Sequence, residues 1–135
     1  MRLSIFSLFL LFLAFNLSST AVAQETLLNP GFANGVPYLS GGIGDEELDE
    51  LERARPNYNT RFVLSEASGA YVSDVALQVT TVLGEPIVAL SGAGPIVLLQ
   101  LSPGTYLIAA SYDGRTVQKR LDVADNTART ISLIW

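Results

Sequence analysis

The densest group of potentially reactive side chains in this sequence is an acidic run at residues 45–52. It holds six carboxylates in eight residues: Asp45, Glu46, Glu47, Asp49, Glu50 and Glu52. Calcium sites need oxygen ligands at set spacings and a glycine at the sharp bend, and this run lacks that pattern. Three interpretations stay open: a solvated helix face, a docking surface for a basic partner, and a metal site. We assign no metal ligand and no cofactor to the run.

A glycine-rich segment, Gly41-Gly42-Ile43-Gly44, comes directly before the acidic run. Glycine-rich loops before a helix can cradle phosphate, but this one lacks the Lys and Ser/Thr of such loops, and the acids that follow repel phosphate. We predict a hinge, a tight turn, or a short recognition segment that folds on binding. The candidate partner-binding residues are Gly41, Gly42, Gly44, Asp45, Glu46 and Glu47.

The residue types present argue against catalysis. The chain has no His and no Cys, which excludes a Ser-His-Asp triad, a Cys-His dyad, a zinc finger and a disulfide framework. Ser, Lys and carboxylate chemistries survive this exclusion, but paired carboxylates for glycoside hydrolysis would need a cleft that nothing in the sequence indicates. We predict a non-enzymatic protein without catalytic residues.

The single lysine, Lys119, shares one side of a predicted strand with apolar residues: Val117, Leu121 and Val123. A buried ammonium is costly unless it meets a carboxylate, a backbone carbonyl or solvent. We predict that Lys119 snorkels at a sheet margin. The alternative is an isopeptide bond to Asn126 or another Asn, which would lower the intact mass by one ammonia.

Charge and targeting indicate where the protein acts. The 135-residue chain has 8 basic and 13 acidic residues and a net charge of −5, which argues against nucleic acid and against anionic membrane surfaces. Residues 5–17 form an almost unbroken apolar run, shorter than the roughly 20 residues of a membrane span. Ala21-Val22-Ala23 then supplies a cleavage pattern. We predict a signal peptide over residues 1–23, cut after Ala23, no membrane insertion after cleavage, and a periplasmic or secreted protein.

Residues 24–57 are predicted to be a flexible leader that contains one short helix. Prolines and glycines interrupt any periodicity up to residue 40, so that part is expected to be extended or disordered. A helix is expected at about 45–55, with Asp45 as its N-cap, Leu48 and Leu51 on one side, and Pro56 at its end.

From residue 58 onward, short apolar runs alternate with turn residues. We predict seven strands, within residues 58–66, 75–82, 87–90, 96–101, 105–112, 115–123 and 128–134. This spacing is typical of an all-β Greek-key sandwich. Asp113-Gly114 predicts a type I′ hairpin turn. Tyr106, just inside a strand after Pro103-Gly104, is expected to send its hydroxyl back to the backbone of that corner.

Several segments of this region follow a pattern found in a known domain family. They are Tyr71-Val72-Ser73-Asp74-Val75-Ala76-Leu77-Gln78-Val79, Gly84, Pro86-Ile87-Val88, Gly94-Pro95, Leu101-Ser102-Pro103-Gly104-Thr105-Tyr106 and Tyr112-Asp113-Gly114. Residues 58–135 thereby resemble carboxypeptidase regulatory-like domains, which are related to Cna-B-type modules. The resemblance implies a seven-stranded transthyretin-like sandwich with a non-catalytic accessory or binding role.

Two chemistries of related proteins do not carry over. Transthyretin-like hydroxyisourate hydrolases depend on His residues and a Tyr-Arg-Gly-Ser end, whereas this chain has no His and ends Ser132-Leu133-Ile134-Trp135. Cna-B-type isopeptide bonds use a Lys in the first strand, whereas Lys119 lies in the sixth predicted strand.

We therefore expect an exported, non-enzymatic binding or accessory domain that contacts a protein partner. The alternative is a carbohydrate- or small-ligand-binding module of the cell envelope. Its aromatic platform would have to come from Tyr38, Tyr71 and Tyr112.

Overall fold

A computed structural model describes Leu28 and residues 30–125 and 127–135, so the predicted signal peptide and Asn126 lie outside the described residues. The strands are β1 (Gly31–Ala33), β2 (Val36–Gly41), β3 (Thr60–Ser65), β4 (Val75–Thr81), β5 (Pro86–Ala93), β6 (Ile96–Leu99), β7 (Gly104–Tyr112), β8 (Arg115–Val123) and β9 (Arg129–Ile134). One helix, α1 (Asp45–Ala54), and a 3₁₀ turn (Arg55–Asn57) lie between β2 and β3. Among the described residues, no helix has the length and apolar character to cross a membrane.

The strands form two sheets that pack face to face. One sheet has the order β1-β2-β6-β3-β9 and the other β5-β4-β7-β8. The prediction of an all-β sandwich with one short helix is confirmed, but the helix lies between β2 and β3 rather than before the sandwich. The described part of the chain contains nine strands rather than the seven predicted.

The core between the sheets follows from period-two alternation along the strands. In β4, Val75, Leu77 and Val79 are fully buried, whereas Ala76 and Gln78 are exposed. Phe62 and Leu133 fill the same core from the facing sheet. Each of these large apolar side chains contributes roughly 1.5–3 kcal/mol by leaving water.

Strand β6 is buried on both of its faces, which explains its uninterrupted apolar sequence. Val97 and Leu99 belong to the core between the sheets, whereas Ile96 and Leu98 belong to a second cluster on the outer side of the same sheet. Leu51 of α1 packs into that second cluster. The helix therefore docks on the sandwich, on the apolar side that the sequence pattern predicted.

Strands β1 and β2 were not predicted, and they lie within the segment that was predicted to be a flexible leader. They form a hairpin whose turn residues, Asn34 and Gly35, have φ of 49° and 78°, and β2 pairs antiparallel with β6. Pro37 and Gly41 hide the alternation of β2, and β1 is only three residues long. This segment therefore belongs to the five-stranded sheet.

Two predicted corners are confirmed. Asp113 and Gly114 have φ of 48° and 73° between the paired residues Tyr112 and Arg115, as a type I′ turn requires. The Tyr106 hydroxyl donates a 2.6 Å hydrogen bond to the Ser102 carbonyl. The Tyr106 hydrogen bond therefore lies at the start of β7, and the Asp113-Gly114 turn lies at its end.

Candidate protein-interaction site

Two of the predicted binding residues, Gly41 and Gly42, are buried and serve packing. A Cβ on Gly41 would collide with the Leu28 side chain, and a Cβ on Gly42 would lie 3.0 Å from Cγ1 of Ile96. Gly42 also has a φ of +109°, which side-chain-bearing residues rarely adopt. These two glycines bring the chain close to β6 and to the second apolar cluster, and their contact with a partner stays a prediction.

Gly44 is exposed and shapes the start of the helix. Its φ of 85° and ψ of 162° lie in a region that essentially only glycine enters. Gly44 is the N-cap and Asp45 the first helical residue, without a side-chain capping bond, so the predicted capping role of Asp45 is wrong. Instead, Oε2 of Glu47, the third helical residue, accepts a 3.1 Å hydrogen bond from the N–H of Ile43, one residue before the N-cap.

These contacts hold Ile43 on a defined turn with its side chain 66% exposed. A shallow open depression of about 560 Å³ lies there, lined by Ile43, Gly44, Asp45, Glu46 and Glu47. We call these five residues the α1 corner. Four of the six predicted binding residues belong to the α1 corner: Gly44, Asp45, Glu46 and Glu47. Ile43 is the member that was not predicted from the sequence.

The charge of α1 is distributed unevenly along its length. Glu52 contacts Arg55 at 3.7 Å and Arg61 at 3.5 Å. Asp45 and Glu46 are exposed, and no basic group lies within salt-bridge distance of them among the described residues. Acids in a first helical turn interact favourably with the helix dipole, by about 0.3–1 kcal/mol each. The α1 corner therefore presents an apolar side chain beside stable negative charge.

The described residues contain no group of three or more His, Cys, Asp or Glu side chains arranged to hold a metal ion. The acids of α1 spread along the helix surface rather than converging on one point. Of the three interpretations of the acidic run, a solvated helix face and a docking surface both fit this arrangement.

Lys119 is exposed, and its Nζ donates a 2.7 Å hydrogen bond to the Ser132 carbonyl of β9. The side chain thus reaches from the margin of one sheet to the margin of the other. This agrees with the predicted snorkelling lysine. The alternative partner, Asn126, lies outside the described residues.

The tyrosines considered for a glycan platform are dispersed. Tyr38 pairs with Leu99 at one end of the five-stranded sheet and packs against the core. Tyr71 bridges Ser65 at the opposite end and is 52% exposed. Tyr112 packs edge-to-face on Trp135, with ring centroids 5.7 Å apart. Tyr38 therefore cannot share one platform with Tyr71 and Tyr112.

A cleft of about 490 Å³ lies at the end of the sandwich away from Tyr71, lined by the 3₁₀ turn, the β6–β7 loop and the β8–β9 loop. Asn59, a polar residue that lines the cleft, is hydrogen-bonded to the main chain of the β6–β7 loop. Asn59 accepts from the Leu101 N–H at 2.9 Å and donates to the Leu101 carbonyl at 2.6 Å. No buried side-chain polar atom among the described residues lacks a hydrogen-bond partner, so the cleft carries no orphaned group that marks a ligand.

The chain is a small β-sandwich with an exposed acidic surface at the start of α1. Residues 60–135 match the Rhizobiales growth-associated tandem repeat domain. The match covers more than half of the chain, and the protein belongs to this family. It spans β3 to β9 and leaves out β1, β2 and α1. The search of curated proteins finds no match to the chain.

Proposed function

We propose that the protein is an exported, non-enzymatic β-sandwich domain that binds a protein partner through the α1 corner. The observation that carries this proposal is the exposed Ile43 side chain, held on a fixed turn beside the carboxylates of Asp45 and Glu46. Export rests on the signal peptide predicted over residues 1–23, which would place the mature protein in the periplasm or outside the cell.

The partner chemistry follows from this arrangement. Apolar anchors in protein interfaces fill pockets on the partner, and the surrounding charges set orientation and association rate. Because the Ile43 N–H is already held by the Glu47 carboxylate, less conformational entropy is lost when Ile43 binds. The partner should offer an apolar pocket rimmed by Lys or Arg.

An accessory role is supported from two directions. The resemblance of residues 58–135 to carboxypeptidase regulatory-like, transthyretin-like domains implies a domain without an active site. The family description names a growth-associated domain that occurs in tandem repeats. A domain that can be repeated suits a modular binding unit, and we propose that this chain supplies one such unit to a growth-related process of the cell envelope.

Cross-linking capture from an envelope extract tests the proposal, with the mature chain (residues 24–135) as bait. The test variant is Ile43→Ser/Glu46→Ser. The matched control is Leu83→Ser/Glu85→Ser, which removes one exposed apolar and one acidic side chain from the β4–β5 turn, where Leu83 is 93% exposed.

We expect one protein to be captured by the wild type and the control and lost from the test variant. Equal capture by all three baits would show that the α1 corner is not the binding surface. Capture by none would overturn a protein partner as the function.

A further inference from the structure

The edges of the two sheets differ in how open they are to another strand. In the described part of the chain, the edge strands are β1 and β9 in one sheet and β5 and β8 in the other. An edge strand presents unpaired main-chain N–H and C=O groups, which can template pairing with another chain unless something blocks them.

Three of these described edges are blocked. Strand β1 has only three residues. Strand β5 has two register irregularities, and Nδ2 of Asn34 donates to its Ile87 carbonyl at 3.2 Å. On β9, the Ser132 carbonyl already accepts a hydrogen bond from Lys119.

Strand β8 is different, because it pairs with β7 at nine consecutive positions without a bulge. The type I′ turn makes Tyr112 and Arg115 a hydrogen-bonded pair, and such pairs alternate along an antiparallel ladder. The outward-pointing main-chain groups therefore belong to residues that are all exposed: Thr116, Gln118, Arg120 and Asp122. We call the outward main chain of these four residues the β8 edge.

The charged side chains of β8 are predominantly basic, although the whole chain is acidic. Arg115, Lys119 and Arg120 lie on this strand with a single acid, Asp122. The Arg120 side chain is 67% exposed, and its contact with Asp122 is 3.6 Å long between two exposed groups. Exposed ion pairs of this kind contribute little, so Arg120 is available to another carboxylate.

We propose that the β8 edge binds an extended polypeptide segment that carries carboxylates at alternate positions, by adding it as a fifth strand to the β5-β4-β7-β8 sheet. Main-chain hydrogen bonds to a free edge supply the affinity in strand addition, and alternate side chains supply the specificity. One carboxylate of the added strand would lie opposite Arg120. A second, two residues along, would lie opposite Gln118, whose amide can donate to it.

Charge sets the register of this pairing. Residues directly opposite each other across two strands share a face, and like charges there are destabilising. The position opposite Asp122 therefore excludes an acid. The β8 edge belongs to the sheet that α1 does not cover, so this inference goes beyond the function proposed for the α1 corner and does not rest on it.

A blocked synthetic peptide, Thr-Val-Glu-Val-Glu-Val-Thr, is the probe, with Gln and Lys analogues in place of Glu as charge controls. Binding to the mature chain is measured by NMR titration and by amide hydrogen exchange. We expect the Glu peptide to bind more tightly than the Gln analogue and the Lys analogue not to bind. The amides of Thr116, Gln118 and Arg120 should exchange more slowly in the complex.

The matched variants are Gln118→Pro and Gln118→Ala. Proline removes one outward N–H without breaking the β7–β8 ladder, as edge strands tolerate, whereas alanine keeps that N–H. Binding should be lost in Gln118→Pro and kept in Gln118→Ala. Arg120→Gln, which does not alter the backbone, should weaken the binding of the Glu peptide by roughly two- to fivefold.

Equal binding by the Pro and Ala variants, equal binding of the Glu and Lys peptides, or no binding of the Glu peptide would each overturn the proposal. The α1-corner variant Ile43→Ser/Glu46→Ser should bind the peptide as the wild type does. Failure at one surface can therefore be told apart from failure at the other.

Discussion

The Tyr106 hydroxyl reaches back four residues to the carbonyl of Ser102, at 2.6 Å, and so ties the start of β7 to the loop that precedes it. The ring is buried against the core, and burial raises the pKa of the Tyr106 phenol above its ordinary value of 10.0. This bond holds the β6–β7 loop over the end of the sandwich.

Replacing Tyr106 with Phe should remove that bond and keep the packing of the ring. We expect the free energy of unfolding to fall by about 0.5–1.5 kcal/mol, measured by urea denaturation with an unchanged m value. Tyr71→Phe is the control, because Tyr71 is exposed and its hydroxyl should add little. Equal losses in the two variants would show that the corner contact contributes nothing of its own.

Asn59 holds the same loop from the β3 side through its two bonds to the main chain of Leu101. Asn59→Ala should cost about 1–3 kcal/mol, because it leaves a part-buried N–H and C=O without partners. Asn59→Asp keeps the acceptor but places a carboxylate against the Leu101 carbonyl, so it should also destabilise. Thermal unfolding measures both, with the exposed Asn57→Ala as control. A loss of stability no larger than that of the control would show that the two Asn59 hydrogen bonds do not hold the loop.

Gly42→Ala should destabilise the protein by about 1–3 kcal/mol, since it combines a positive φ with a Cβ close to Ile96. Gly69→Ala separates the two causes. Gly69 has a φ of +90°, but nothing lies within 4 Å of its added Cβ. The loss in chemical denaturation should therefore be smaller for Gly69→Ala. Equal losses would mean that backbone strain alone matters at Gly42.

Thr105 and Asp122 give a pH-dependent prediction. The Thr105 hydroxyl donates to Oδ1 of Asp122 at 2.8 Å, and this bond, with Arg120 nearby, lowers the pKa of Asp122 below 3.8. A carboxyl whose pKa is lower when folded stabilises the protein above its unfolded pKa, and this contribution is lost as pH falls through the folded pKa.

Thr105→Val should raise the pKa of Asp122 towards 3.8 and weaken the dependence of unfolding free energy on pH below that value. Carboxyl NMR titration measures the pKa, and denaturation at several acidic pH values measures the stability. Thr80→Val serves as the control. An unmoved Asp122 pKa in Thr105→Val would assign the shift to Arg120 instead.

The strands and turns that could be predicted from the sequence are those marked by a pattern of neighbouring residues. The alternation of Val75, Leu77 and Val79 gives β4, and Asp113-Gly114 gives the β7–β8 turn. Strand β2 was not predictable in this way, because its pairing with β6 joins residues far apart in sequence and its proline and glycine break the alternation. Asn34-Gly35, with positive φ at both residues, is a sequence signal for this hairpin turn.

The candidate site was predictable only in part. The acids at 45–47 lie in the first turn of α1, as predicted; Asp45 and Glu46 are exposed, whereas Glu47 is half-buried. The roles of Gly41 and Gly42 depend on the distance between β2 and its neighbours in space, which a sequence does not state. Ile43 would ordinarily be assigned to a core, and only its turn geometry places it on the surface.

The pairing of β9 with β3 has a consequence for how this chain acquires its structure. The two strands run parallel, joining Thr60 to Arg129 and Ser65 to Ile134, and the Trp135 N–H donates to the Ser65 carbonyl. Contacts between residues so distant in sequence form slowly, because closing the long intervening loop costs conformational entropy before the contacts can stabilise the fold. The five-stranded sheet therefore cannot be completed until residues 129–134 have left the ribosome, and until then β3 has only β6 as a partner in this sheet.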